Sequence, residues 1–467
     1  YLYNPNYTNG FDFVSASLHY KPKKRILKEV LIGDYSLNFG QGLLIWTGFS
    51  MGKGVTSTRS DKNGLTLLPY HSSDEVHFMR GVSARFAHQN ISFIPFISYK
   101  QVDAEIQPDS TIRSIRINGL HRTENEISQK DAIEELLIGG HINYKRSNKQ
   151  IGFQIVSMNY SFPFEYQSNY QKQYSTGNQT TLSSIDHSVV GKNWQFFGEL
   201  AINQSGKTAF IEGLNFYATP NITFNTTIRK YSAGYKSFYA NSFGERSYAN
   251  NEIGFYNGIN INLGNSYALK TYFDLYAFPS FSYGEGKAVH GQDFFSEIQK
   301  KLSAKSLIYL RLKNEKRTTQ VAEQTSESIT RVRIHYKTTQ GILTLQSRVE
   351  GSISNKKDKG FLIFQDIKTK FRGFNLTTRL AFFDTPNFQS AIYAYQPNVL
   401  YAFRSMAYYN QGYQFIIMSK IHITHQVKLW IKLQRLTYTN KNKVSSSYYE
   451  TTTPHLTDIT FQLQLLL

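Results

Sequence analysis

From Ser306 to Leu312 the chain alternates apolar and polar side chains. Ile308, Leu310 and Leu312 share one face of an extended segment, and Tyr309, Arg311 and Lys313 share the other. Residues 328–337 set Val332, Ile334 and Tyr336 against Arg331, Arg333, His335 and Lys337, and residues 342–351 set Leu343, Leu345 and Val349 against Thr344, Gln346, Arg348 and Glu350. The same period of two recurs in 361–372, 374–382 and 427–433, and at the end, where Ile459, Phe461, Leu463, Leu465 and Leu467 oppose Thr460, Gln462 and Gln464. Segments with one greasy face and one charged face are strands of a two-sided sheet. The most apolar runs, LLIW at 43–46, FLIF at 361–364 and FIIM at 415–418, are four residues long. A membrane-spanning helix needs roughly 20.

The connections add a second constraint. Short turns near 21–26, 88–90, 146–149, 191–193, 218–221, 263–265, 303–305, 338–341, 372–373, 396–398 and 422–426 alternate with long polar stretches near 40–75, 102–134, 161–183, 233–250, 280–289, 314–327, 351–360 and 439–456. One connection, at 203–206, is short where a long one is due. A soluble sandwich or propeller has no reason to put its long loops on one edge, whereas outer-membrane barrels combine short periplasmic turns with long outer loops. The expected fold is therefore all-β: one large antiparallel transmembrane barrel over residues 1–467, in a bacterial outer membrane, with about 23 strands by direct count and a range of about 22–26. The 67 Tyr and Phe residues are expected to supply aromatic girdles at the membrane boundaries. The strand at 10–20 precedes a short turn, which places the N-terminus outside the cell. This predicts at least one preceding strand, with residues 1–3 as its end, and an intact barrel of 24 or 26 strands.

Charge and cysteine content restrict the chemistry. The chain has no Cys, so disulfides, thiolate metal sites and thiol catalysis are excluded, and 52 Lys and Arg against 33 Asp and Glu give a net charge of +19. If the apolar faces meet lipid, the opposite faces line the lumen with Asp34, Lys270, Asp274, Arg311, Lys313, Arg331, Arg333, His335, Lys337, Arg348, Glu350, Asp366, Lys368, Lys370, Arg379, Lys428 and Lys432. Charge facing hydrocarbon costs roughly 2–4 kcal/mol per Arg or Lys at mid-membrane, so these side chains belong inside. One reading is a hydrated wall paired across strands. The other is a basic lumen that concentrates an anionic solute, such as a phosphate, an acidic sugar or nucleic acid.

Residues 40–74 hold more apolar side chains than an exposed loop needs. Leu43, Leu44, Ile45, Trp46 and Phe49 are expected to fold inward as a plug or constriction. The MGKG at 51–54 lacks the GxxxxGK[ST] spacing of a phosphate loop. Residues 124–137, ENEISQKDAIEELL, carry an apolar stripe of Ile127, Ala132, Ile133, Leu136 and Leu137 behind Ser128 as N-cap, which predicts a short helix in a long loop. The 12 His residues form no catalytic or metal-binding pattern. On a strand Glu75 and His77 share a face while Asp74 points away, and His422 and His425 point to opposite faces. No catalytic residue, metal or cofactor is assigned, and the expectation is a non-enzyme.

The segments LIGDYSLNFGQGLLIWTGFSMGKG (31–54), GFDF (10–13), GLHRT (119–123), RKYSAGYKSFYANSFGERSYANNEIGFYNG (229–258) and IYAYQPNVLYAF (392–403) resemble the barrel part of a family of large Bacteroidota outer-membrane proteins that carry a competence-protein-like helix-hairpin-helix domain ahead of the barrel. That helix-hairpin-helix segment is not in this sequence, and the chain ends in Leu467 where many barrel proteins end in an aromatic residue. The resemblance implies fold and location, and hints at nucleic-acid uptake or handling because helix-hairpin-helix modules bind DNA backbones. The leading expectation is a porin-like channel or transport scaffold with a basic, partly plugged lumen, its partners being outer-membrane lipid and lipopolysaccharide. The alternatives are a closed barrel serving as a platform for other envelope proteins, and, ranked last, an envelope hydrolase that would use His77, His187 or His335.

Overall fold

The computed structural model describes residues 13–23, 26–50, 52–54, 56–119, 121, 123–166, 171–246, 248–280, 289–320, 324–355, 358–444 and 450–466. The expected strand at residues 1–3 and most of GFDF lie outside these residues, as do Met51, Leu120 and Arg122. Among the described residues the fold is all-β, a large antiparallel sheet of the transmembrane-barrel class: 24 strands share one sheet, and Ile392–Tyr395 and Ser405–Tyr408 form a separate pair.

The period of two in the sequence becomes a physical sidedness. On the strand Gln324–Gln340, Val332 and Ile334 are exposed while His335, between Arg333 and Lys337 on the opposite face, is buried. On His455–Leu465 the apolar residues Ile459, Phe461, Leu463 and Leu465 are all exposed, and Thr460, Gln462 and Gln464 are half-buried. An apolar face left open to the surroundings over strand after strand is stable against hydrocarbon and not against water. No helix among the described residues is long and apolar enough to cross a membrane.

The chain divides into two compact units. In the first, comprising Tyr1–Gly258, Asp274–His290 and Thr319–Gln324, consecutive strands pair antiparallel from Leu27–Leu37 through Met79–His88, Ile91–Val102, Ile133–Arg146, Lys149–Phe164, Gly177–Val190, Trp194–Asn203 and Thr208–Thr219 to Ile222–Tyr231. In the second, the same meander runs from Gln324–Gln340 through Leu343–Ser354, Lys359–Phe371, Phe374–Thr385, Asn410–His422 and Val427–Tyr438 to His455–Leu465.

The structure departs from the expected elements at four places. The helix spans only Glu124–Ser128, its N-cap is Thr123 in a capping box with Glu126, and Ile133–Arg146 is a strand. The stripe Ile133, Leu137 fits a period of two as well as a helix. Pairing with Ile91–Val102 on one side and Lys149–Phe164 on the other decides for the strand, burying both residues. Residues 314–320 and 351–354, read as loop, extend the strands Ser306–Gln320 and Leu343–Ser354. The turn at 396–398 is not a wall turn, because Ile392–Tyr395 and Ser405–Tyr408 pair with each other and leave the large sheet. The segment 40–74 also ends sooner: Leu67–Pro69 returns to the wall as a strand on Tyr35–Leu37.

Candidate functional site: two inserts on the polar face

In the first unit, residues 39–46 make a tight loop against the polar face of the strands. Phe39 N–H donates to Ile45 O at 3.1 Å and Gly42 N–H to Phe39 O at 3.1 Å. Gly40 and Gly42 adopt positive φ of 51° and 79°, which turns the Gln41 and Leu43 amides toward one point. Glu199 Oε2 stands at that point and accepts from Gln41 N–H at 2.7 Å and Leu43 N–H at 3.1 Å. Its Oε1 accepts from Gln154 Nε2 at 2.8 Å and Ser184 Oγ at 2.7 Å, so this buried carboxylate has four donors. A cluster of aligned donors compensates the burial of a charge.

The other side of the loop is tied to residues 235–241. Tyr235 and Ser237 hydroxyls donate to Leu43 O (2.9 Å) and Leu44 O (2.6 Å), Asn241 N–H to Gly42 O (2.9 Å), and Trp46 N–H to Tyr239 O (2.8 Å). Leu43, Leu44, Ile45 and Trp46 are buried, whereas Phe49 is 63% exposed and does not join them. The backbone has left the Glu199 anchor by that point.

Residues 52–54 and 56–62 continue across the polar face. Ser60 Oγ donates to Asn225 Oδ1 (3.1 Å), Tyr256 OH donates to Ser57 O (2.7 Å), and Lys53 Nζ pairs with Glu245 and with Asp274 (2.8 Å). Asp274 is also held by both terminal nitrogens of Arg229, each at 2.9 Å, while Arg229 Nε donates to Glu252. Arg229, Glu252 and Asp274 side chains have no solvent exposure. Lys62 lies over the Trp46 ring at 4.9 Å and donates to Ser50, and burial lowers its pKa to about 7.

Asp74 and His77 do not share a strand, on which they would point apart. They sit in a turn before Met79–His88, where Asp74 Oδ1 accepts from Val76 N–H (2.8 Å) and His77 N–H (3.1 Å) and Oδ2 faces His77 Nδ1 at 2.9 Å. Partial burial raises the Asp74 pKa, but these hydrogen bonds prevail and hold it at about 2. No group of three or more His, Asp or Glu fit for a metal occurs among the described residues.

The second unit carries an insert of its own that sequence reasoning missed. Residues 386–409 fold onto the polar face, burying Ile392, Ala394 and Tyr408 against Leu362, Phe364, Ala381 and Phe383. Ser352 Oγ donates to Ser390 O (2.6 Å), Arg379 Nη1 to Tyr395 O (2.6 Å), Lys432 Nζ to Asn398 Oδ1 (3.1 Å) and Gln462 Nε2 to Leu400 O (3.0 Å). The signal was present in the sequence: Pro397 and Asn398 break the alternation inside an aromatic stretch.

Most of the expected lumen charges are paired. Asp34 takes Arg80 at 2.7 Å, Lys270 lies 3.8 Å from Glu297, and Arg311 Nε donates to Glu297 at 2.8 Å. Lys313 pairs with Glu315 at 2.8 Å, and Arg331 pairs with the same carboxylate. Arg333 grips Glu350 at 2.7 and 2.9 Å, Arg379 grips Asp366 at 2.6 and 2.8 Å, and Arg348 reaches Glu350 at 3.9 Å. His335 stacks on Tyr309 with centroids 4.8 Å apart. Among the described residues Lys337, Lys368, Lys370 and Lys428 make no ion pair, and all four lie toward the short-turn ends of their strands.

No protein-family model and no curated relative matches the chain. Among solved structures it is similar to the ferric enterobactin receptor of Pseudomonas aeruginosa (8% identity, 83% of this chain and 69% of that one, TM-score 0.44). It is also similar to the ferric yersiniabactin uptake receptor of Yersinia pestis (8% identity, 96% and 77%, TM-score 0.36) and to OccAB3 of Acinetobacter baumannii (9% identity, 80% and 98%, TM-score 0.34).

Proposed function

We propose that this protein is a non-enzymatic transport barrel of a bacterial outer membrane, whose lumen is obstructed by two inserts and is anion-preferring at its short-turn end. The observation that carries the reading is the seating of residues 39–46 and 386–409, each on the polar face of its own unit by side-chain to backbone hydrogen bonds. A long exposed loop would gain nothing from burying Leu43, Leu44, Ile45 and Ile392 on a charged wall, whereas an obstruction must be held there. The unpaired Lys337, Lys368, Lys370 and Lys428 support anion preference, since cations beside a low-dielectric wall raise the local anion concentration.

The test is the reversal potential, across a salt gradient in a planar bilayer, of a form with 43–66 and 388–406 replaced by short Gly-Ser linkers. Anion selectivity that is lost when Lys337, Lys368, Lys370 and Lys428 are changed to Glu is the expected result. Cation selectivity, or selectivity indifferent to those four changes, contradicts the basic lumen.

A second reading, a platform for other envelope proteins, is favoured by the aromatic surface of the second insert, where Tyr395 is 60% and Phe403 75% exposed. Its mark is a barrel that stays silent with both inserts removed.

A further inference from the structure

At the long-loop end of the first unit, a cleft opens between the strand Lys149–Phe164, the start of Gly177–Val190 and residues 234–238. Five rings, Tyr160, Phe164, Tyr166, Tyr174 and Phe238, line one part of it, and polar side chains that include Asn203 line the rest. Tyr160 meets Phe164 edge-on at 5.0 Å, Phe164 stacks on Tyr166 at 5.9 Å, and Tyr166 meets Tyr174 edge-on at 5.4 Å, so the rings brace one another as a rigid box.

Lys236 enters this box. Its Nζ lies 4.9 Å from the Tyr174 centroid, 5.3 Å from Tyr166, 5.6 Å from Phe238 and 5.9 Å from Phe164. Ring faces attract a cation but accept none of its three N–H donors in the way an oxygen does. Among the described residues no carboxylate or carbonyl accepts from Lys236 Nζ, unlike Lys53, Lys313 and Lys432, which all find oxygens. Lys236 is half-buried, and this partial loss of water without an anion nearby lowers its pKa to about 8. A box built only for packing has no need of an ammonium, and Met or Leu would fill the space without the desolvation cost.

We propose that this cleft binds a small organic anion with a flat apolar body, the body between the rings and the negative group on Lys236 Nζ. The site needs neither insert to move, so it stands or falls independently of the transport reading.

The experiment is isothermal titration of the whole folded protein in detergent with 2-naphthoate, with naphthalene-2-carboxamide as the neutral isostere and glucuronate as an anion lacking the flat apolar body. Naphthoate is expected to bind, with the amide at least about tenfold weaker and glucuronate weaker still. Lys236→Met is expected to lose at least about tenfold in naphthoate affinity, Lys236→Arg to retain most of it, and Tyr174→Leu to weaken naphthoate without restoring glucuronate. Heat-modifiable gel mobility checks that each variant is folded. Absence of naphthoate binding to the folded protein, equal binding by Lys236→Met, or tighter binding of glucuronate overturns the proposal.

Discussion

Gln41 and Glu199 are 158 residues apart in the chain, and the backbone N–H of one donates to Oε2 of the other at 2.7 Å. The same oxygen takes Leu43 N–H, which fixes both the position and the direction of the first insert. Glu199→Ala strands these two amides together with Gln154 and Ser184. An unmet buried donor costs about 1–3 kcal/mol, so even one of them shifts the seated fraction on the order of tenfold. Limited proteolysis of the folded protein should cut within 43–66 at least about tenfold faster in the variant. An unchanged rate contradicts the anchor.

Gly42 gives a backbone test of the same seat. With φ at +79° and a Cβ position 2.9 Å from Asn241 O, Gly42→Ala meets both a left-handed backbone and a clash. It should weaken seating by about 1–2 kcal/mol, read by the same proteolysis. Gly52→Ala, where a Cβ would find nothing within 4 Å, is the matched control and should have no effect.

The pH dependence of seating follows from Lys62. Its pKa is about 7 when buried over Trp46 and 10.5 when free. Between these values the released segment binds a proton that the seated one does not, so seating strengthens as pH rises from 7 toward 10.5 and is weakest below 7. Protease protection of 43–66 should be greater at pH 9 than at pH 6.5, and Lys62→Met should flatten the difference. A Lys62→Met profile as steep as the wild type assigns the effect elsewhere.

Arg229 neutralises two buried carboxylates, Glu252 and Asp274, and removing it leaves both without their central cation. Arg229→Met should lower stability by about 3–5 kcal/mol, measured as the urea midpoint of folding into detergent or lipid. The triple change with Glu252→Gln and Asp274→Asn should recover much of that loss. If the triple variant is less stable than Arg229→Met, the penalty is not one of unpaired charge.

The wall was legible in the sequence because lipid and water impose opposite preferences on alternate side chains, and Val332, Ile334 and Phe461 carry that signal residue by residue. The apolar run Leu43 to Trp46 was legible for a related reason, since it is too greasy for an open loop. Glu199 was not: a single polar residue on the polar face of a strand resembles every other until the chain brings Gln41 to it. The second insert was missed because Ile392–Tyr395 and Ser405–Tyr408 alternate like wall strands, and only pairing partners distinguish a hairpin lying on the sheet from one within it. Residues 133–137 satisfy both helical and strand periods, so the neighbouring strands chose.

The most direct test of the central claim is single-channel conductance in planar bilayers for four forms: intact, 43–66 replaced by a linker, 388–406 replaced by a linker, and both replaced. Obstruction by two separately seated inserts predicts a silent intact protein and the largest, longest openings in the double replacement. Large steady openings in the intact protein, or silence in the double replacement that still folds, would contradict it.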